Sequence, residues 1–156
     1  MYIKNFSEIS KEDVGTVGGK AAALGELTKA GFPVPPGFVI TTEGFQKDIG
    51  EAALKAFDDL NADKVAVRSS AVAEDSLQAS WAGQLETYLN VSRDDLVTRI
   101  RECWESIQSD RALSYAEGQD LSDDQLVVAV VVQKMIDSQS AGVMFTVNPV
   151  SRDRSE

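Results

Sequence analysis

Three short runs in the chain hold residue types suited to phosphate chemistry. Val17-Gly18-Gly19-Lys20 precedes an alanine-rich stretch. Glycines let backbone N–H groups approach an anion, a helix N-terminus adds partial positive charge, and Lys20 supplies a mobile cation. The run is not a P-loop: Gly15 stands one residue too close to Gly19, and Ala21 replaces the Ser or Thr that would meet magnesium. A turn before an ordinary helix is the other reading. Arg68-Ser69-Ser70-Ala71 offers a planar fork of donors with two hydroxyls beside it, although Glu74 and Asp75 follow and would serve equally to hold Arg68 in a local ion pair. Ser80-Trp81-Ala82-Gly83-Gln84, leading into Glu86-Thr87, reads as a small-residue lid over phosphates or as a surface loop with Trp81 in the core. Gln133 and Lys134 end an apolar run, at a cleft or at a solvated strand end.

The elements that must carry these residues follow from pattern. Gly18 to Ala30 reads as a helix with Gly31 as its C-terminal cap, and Pro33, Pro35 and Pro36 forbid its continuation. Gly37-Phe38-Val39-Ile40 is a strand. Thr41 or Thr42 caps a second helix through Phe45, Ile49 and Ala56 to Leu60. Val65 to Arg68 is a buried strand, Ser69 to Gly83 a functional loop, and Gln84 to Val91 an alternating strand. Ser92 with Asp95 resembles a helix-capping pair. Leu96, Ile100, Cys103, Trp104 and Ile107 then form one apolar helix face, on which Cys103 is a core filler. Leu126 to Met135 carries the strongest β signal, and with a strand over Ala141 to Val147 it predicts an antiparallel hairpin spanning 126–147. The mixture predicts an α+β fold, a single domain portion over 1–156 with a helical Gly-Gly-Lys unit at 1–63 and the remaining strands, loop and helix at 64–156.

Bulk properties narrow the function classes. The 156 residues, 43% of them apolar, suffice for a core without covalent staples. A net charge of −10 disfavours nucleic-acid and membrane partners. Cys103 is the sole cysteine, so no internal disulfide forms, and the chain has no histidine, the commonest general base and metal ligand. With no apolar signal core at the N-terminus and no run of 18 apolar residues, the expected location is the cytoplasm.

The order of the runs adds what no single one carries. VGGKAAALGEL, VPPGFVITTEGF, VAVRSSAVAEDSLQASWAGQLETYLNV, VVVQKM and AGVMFTVNP together resemble the N-terminal ATP-binding domain of phosphoenolpyruvate synthases (pyruvate, water dikinases), pyruvate phosphate dikinases and rifampicin phosphotransferases. The likeness is strongest to the synthases, since the dikinases usually carry a Met-rich stretch at the position of Trp81 to Gln84. It implies an ATP-grasp-like fold that binds ATP. Lys20 and Arg68 would be phosphate-contacting cations, with Arg68 stabilising the transferred phosphoryl group. Gly83 and Thr87 would belong to the phosphate loop, and Gln133 would line the adenine pocket. In such enzymes the phosphoryl group passes to a histidine on a separate domain and then to pyruvate or another acceptor. Two departures stand out: only Gly50 to Lys64 bridges the first unit and the VRSS strand, where the family has a longer helical insertion. The chain also ends before the lobe expected to hold the Mg²⁺ ligands and before the phosphohistidine domain. It is thus expected to be part of a larger phosphotransferase and inactive alone. The alternatives are a rifampicin phosphotransferase fragment or a free-standing, non-catalytic nucleotide-binding protein.

Overall fold

The computed structural model describes residues 2–45, 47–72, 86–109, 127–142 and 147. Among these, five strands form one sheet in the order β1-β2-β5-β3-β4, with every neighbouring pair antiparallel. The strands are β1 (Ile3–Asn5), β2 (Gly37–Ile40), β3 (Val65–Ala71), β4 (Thr87–Val91) and β5 (Val128–Lys134). Helix α1 (Val14–Lys29) lies on one face, and α2 (Gly50–Asp59) and α3 (Leu96–Glu105) pack on the other. The α+β class read from the sequence is the class observed.

Strand β5 is central, and its sequence explains why. Val128 to Val132 are all buried, as expected of a strand covered on both faces. Alternate residues face opposite ways. Val128, Val130 and Val132 meet Ile49, Phe57, Leu96, Ile100 and Trp104 under α2 and α3, whereas Ala129 and Val131 meet Val17, Ala21 and Ala22 of α1. The side chains on the α1 face are small, which lets that helix approach closely. Gly25 is needed where α1 passes the preceding segment, because a Cβ there would lie 2.6 Å from the carbonyl oxygen of Ile9.

The predicted hairpin over 126–147 is replaced by different pairing. From Val130 to Gln133, β5 is bonded to β2 on one side and β3 on the other, so neither edge remains for a returning strand. Residues 143–146 of the expected partner lie outside the described residues. Two boundaries also move. Thr42–Gly44 is a single 3₁₀ turn and α2 starts only at Gly50. Strand β3 continues through Ser69, Ser70 and Ala71, which the sequence reading placed in a loop. At α3 the cap position is Asp95, and the Ser92 hydroxyl donates to its carboxylate at 2.9 Å instead of capping the helix itself.

Two expectations match closely. Strand β2 has the predicted limits, and α1 ends as foreseen. Gly31 has φ +81, the Gly31 N–H donates to the Thr28 carbonyl, and the Phe32 N–H donates to that of Leu27 at 3.0 Å. This is the paired closure that a left-handed C-terminal glycine permits.

The predicted α3 stripe is buried throughout, and Trp104, 5% exposed, meets Phe45 edge-on with centroids 5.8 Å apart. Trp104→Ala should therefore cost about 3–5 kcal/mol in a denaturant titration, and Trp104→Phe less than half of that. An N-terminal anchor yields a pH prediction. The Asp13 carboxylate accepts from Lys4 Nζ at 2.8 Å and from the Ser10 N–H and hydroxyl, tying β1 to the start of α1. The Lys4 hydrogen bond first, then those of Ser10, lower its pKa from 3.8 to about 2. A depressed carboxylate stabilises the fold above its unfolded pKa and loses that contribution as pH falls through the folded one. Asp13→Asn should destabilise the protein by about 1–2 kcal/mol at pH 7, with the difference from the parent vanishing between pH 4 and 2.

Candidate nucleotide site

The candidate site is built where α1 meets β3. Helix α1 is broken at Gly18, whose φ of +76° and ψ of 164° are not helical. A fresh helical segment therefore starts at Gly19, so the Gly-Gly-Lys run does sit at a helix start. Gly18 is required twice over. Its backbone is in a region that only glycine adopts readily, and a Cβ would overlap the Ser70 carbonyl oxygen and hydroxyl.

This contact brings the two predicted cations to adjacent positions. Lys20 Nζ donates to the backbone carbonyl of Ser69 at 2.6 Å, one residue beyond Arg68. Arg68 is half-buried, and no ion pair joins it to a carboxylate among the described residues; Glu74 and Asp75 lie outside them. Thr87 stands directly opposite Arg68 in the β3–β4 register. Directly paired residues share a face, so Arg68, Thr87 and Val131 all point to the α1 side. There α1 covers β5 and part of β3 but leaves Thr87 and, two residues on, Leu89 exposed, the latter by 61%. The result is an uncovered strip of sheet beside two cations and a helix start, a geometry suited to an elongated anion.

The remaining predicted residues fare differently. Gly83, with the rest of Ser80 to Gln84, lies outside the described residues. Gln133 shares the α1 face and pairs with Ala66, two residues along β3 from Arg68 and hence about 7 Å along the strand from it. Its amide Nε2 donates to the Pro35 carbonyl at 3.1 Å. Lys20, Arg68 and Thr87 thus share one stretch of the α1–β3 junction, and Gln133 stands two register positions along the same face from the partner of Arg68.

Sequence reasoning gave Ser69 and Ser70 to the ligand as neutral donors, and the structure turns both toward the protein. Ser69 faces the α3 side, its hydroxyl 3.2 Å from the Glu86 carbonyl and 3.5 Å from that of Cys103. Ser70 faces α1, where its hydroxyl oxygen accepts from the Ala21 N–H at 3.2 Å. The signal for this role was the pairing of a small polar doublet with a glycine doublet, visible only once the strand was known to continue. Next to Thr87, Tyr88 packs under the Arg99 guanidinium at 4.9 Å, and burial first, then the Glu102 charge, raises its phenol pKa to about 12. Burial likewise pushes the Cys103 thiol up to about 11. Cys103 is thus a protonated core residue, as its place on the helix stripe suggested.

Comparison with known proteins identifies the family. The chain matches the pyruvate phosphate dikinase AMP/ATP-binding domain family over residues 14–56 and 43–156. It is 36% identical to a probable phosphoenolpyruvate synthase of Methanothermobacter thermautotrophicus over 199 residues, covering 95% of this chain and 29% of that protein. It is 35% identical to the phosphoenolpyruvate synthase of Aeropyrum pernix over 201 residues (96% and 24%), and 32% identical to that of Pyrococcus furiosus over 238 residues (99% and 29%). The chain belongs to the pyruvate phosphate dikinase AMP/ATP-binding domain family, and fits the N-terminal ATP-binding domain of phosphoenolpyruvate synthases. It spans 24–29% of the length of these relatives. The alignments exceed the 156 residues of the chain, so the relatives carry additional positions inside the matched region. The two family matches overlap at residues 43–56, which lead into α2.

No helix among the described residues is long and apolar enough to cross a membrane. Gly18→Ala should cost about 3 kcal/mol or more, because it combines a disallowed backbone with a backbone overlap. Gly15→Ala, in open space, serves as the neutral comparison in the same thermal unfolding experiment.

Proposed function

We propose that this chain is the ATP-binding part of a phosphoenolpyruvate synthase-like phosphotransferase, in which Lys20 and Arg68 hold the phosphates of ATP. The observation that carries the reading is the junction of α1 and β3, where Lys20 Nζ rests on the carbonyl next to Arg68. A lysine point charge and an arginine fork beside a partly open face suit a polyphosphate. Thr87 opposite Arg68 adds a hydroxyl donor, and Gly83 would complete the phosphate loop. Gln133, two residues along the same face from the residue paired with Arg68, would line the adenine pocket. An ATP-grasp-like arrangement, with a second lobe closing over this face, is part of the same reading.

Mg²⁺, if bound with ATP, would supply charge neutralisation to the transferring phosphoryl group. Among the described residues no group of three or more acidic or cysteine side chains is arranged to hold a metal, so these residues do not by themselves fit it. Its ligands are proposed to lie in a second lobe of the parent enzyme. The phosphoryl group would then pass to a histidine on another domain, and on to pyruvate. A rifampicin-modifying relative would share this lobe, but the synthase relatives favour pyruvate.

Lys20→Ala and Arg68→Ala should each weaken ATP binding by about tenfold or more, as expected for a lost charge-assisted contact of 1.4 kcal/mol or above. Lys55→Ala and Arg101→Ala, on helices of the opposite face, should change it less than about twofold. Equal effects at all four positions in a calorimetric titration would indicate nonspecific charge attraction. The chain alone should neither retain label from γ-labelled ATP nor form phosphoenolpyruvate from ATP and pyruvate, because it holds no imidazole acceptor. Stable transfer of label to this chain would contradict that assignment.

A further inference from the structure

The helical segment that starts after Gly18 lacks the usual cap. The first amides of a helix have no partner within it, and a side-chain oxygen at the cap position normally accepts from one two or three residues on. Gly18 occupies that position and has no side chain. Its role is filled from elsewhere in the chain: the Ala21 N–H, third in the new segment, donates to Ser70 Oγ at 3.2 Å, across 49 residues of sequence. Ser70 is completely buried, and Gly18 sits against its carbonyl and hydroxyl. The neighbouring carbonyl, that of Ser69, receives Lys20 Nζ. One dipeptide of β3 therefore fixes both the helix start and the ammonium group that the helix carries.

We propose that Ser70 is a positioning residue for phosphate binding: by capping the helix from strand β3, it fixes Lys20 beside Arg68. This rests on the nucleotide reading above. Arg68 and Ser70 belong to the same strand and point to the same face, so a cap supplied by Ser70 also sets the distance between the two cations. A cap within α1 would hold the helix together but would leave that distance free. The hydroxyl acts through Lys20 and does not touch the ligand.

The test is a double-mutant cycle read by ATP titration. Ser70→Ala should weaken ATP about tenfold in the parent chain and less than about twofold once Lys20 is already Ala, the coupling expected of a residue that acts through its partner. Amide hydrogen exchange should speed up at Ala21 while exchange in β5 stays slow. Ser106→Ala removes another buried hydroxyl, bonded to the Cys103 carbonyl on the opposite layer, and should leave ATP affinity unchanged. If Ser70→Ala does not fold, Ser70→Cys keeps the bulk with a poorer acceptor and should show the same coupling to Lys20. ATP binding in the parent but equal affinity in Ser70→Ala, or an equal loss with and without Lys20, would overturn the positioning role alone. Absence of ATP binding in the parent would overturn the nucleotide reading itself, and this role with it.

Discussion

Gly18 lies so close to Ser70 that no β-carbon fits between them, and this contact sets where the main part of α1 begins relative to β3. Everything proposed for the site follows from that spacing. Lys20 is two residues past the break, and Arg68 two residues before Ser70, so neither cation can move far without separating helix from sheet. Close packing transmits such constraints because interiors have few voids to absorb a shift. The alanines of α1 and the small residues on the facing strands permit the approach, and the glycine makes its tightest point.

The rest of the fold serves as a rigid support for that junction. Strand β5 is bonded on both edges and buried on both faces, and its partner β3 carries Arg68, Ser69 and Ser70. Ser69 and Ser70 bind opposite layers, so the strand is fastened to α3 on one side and to α1 on the other. The two family matches overlap at residues 43–56, which lead into α2, a helix on the face away from the candidate site.

Much of this was legible in the sequence where a local rule decides the outcome. Prolines and Gly37 bound β2, a 3.6-residue period marks α3, and Gly31 ends α1 through its own backbone freedom. The misses share a cause in long-range pairing. Leu126 to Met135 invited a local hairpin, yet its edges are filled by β2, more than 90 residues earlier, and by β3. Ser69 and Ser70 look like loop residues by composition, and become strand because carbonyls and an amide of other elements satisfy their hydroxyls. Of the candidate site, the sequence offers Lys20 and Arg68 by motif, and Thr87 only through the family resemblance. That Gly18 breaks the helix, and that Ser70 caps it from another strand, needed the three-dimensional arrangement.

The central claim is that the α1–β3 junction holds the phosphates of ATP. It is tested most directly by mapping backbone amide shifts in the chain during titration with ATP and magnesium. Changes should concentrate at Gly18 to Ala21, Arg68 to Ala71 and Glu86 to Tyr88, on the face that α1 leaves partly open. Changes confined to α2 and α3, or spread evenly over all the basic residues, would contradict the account.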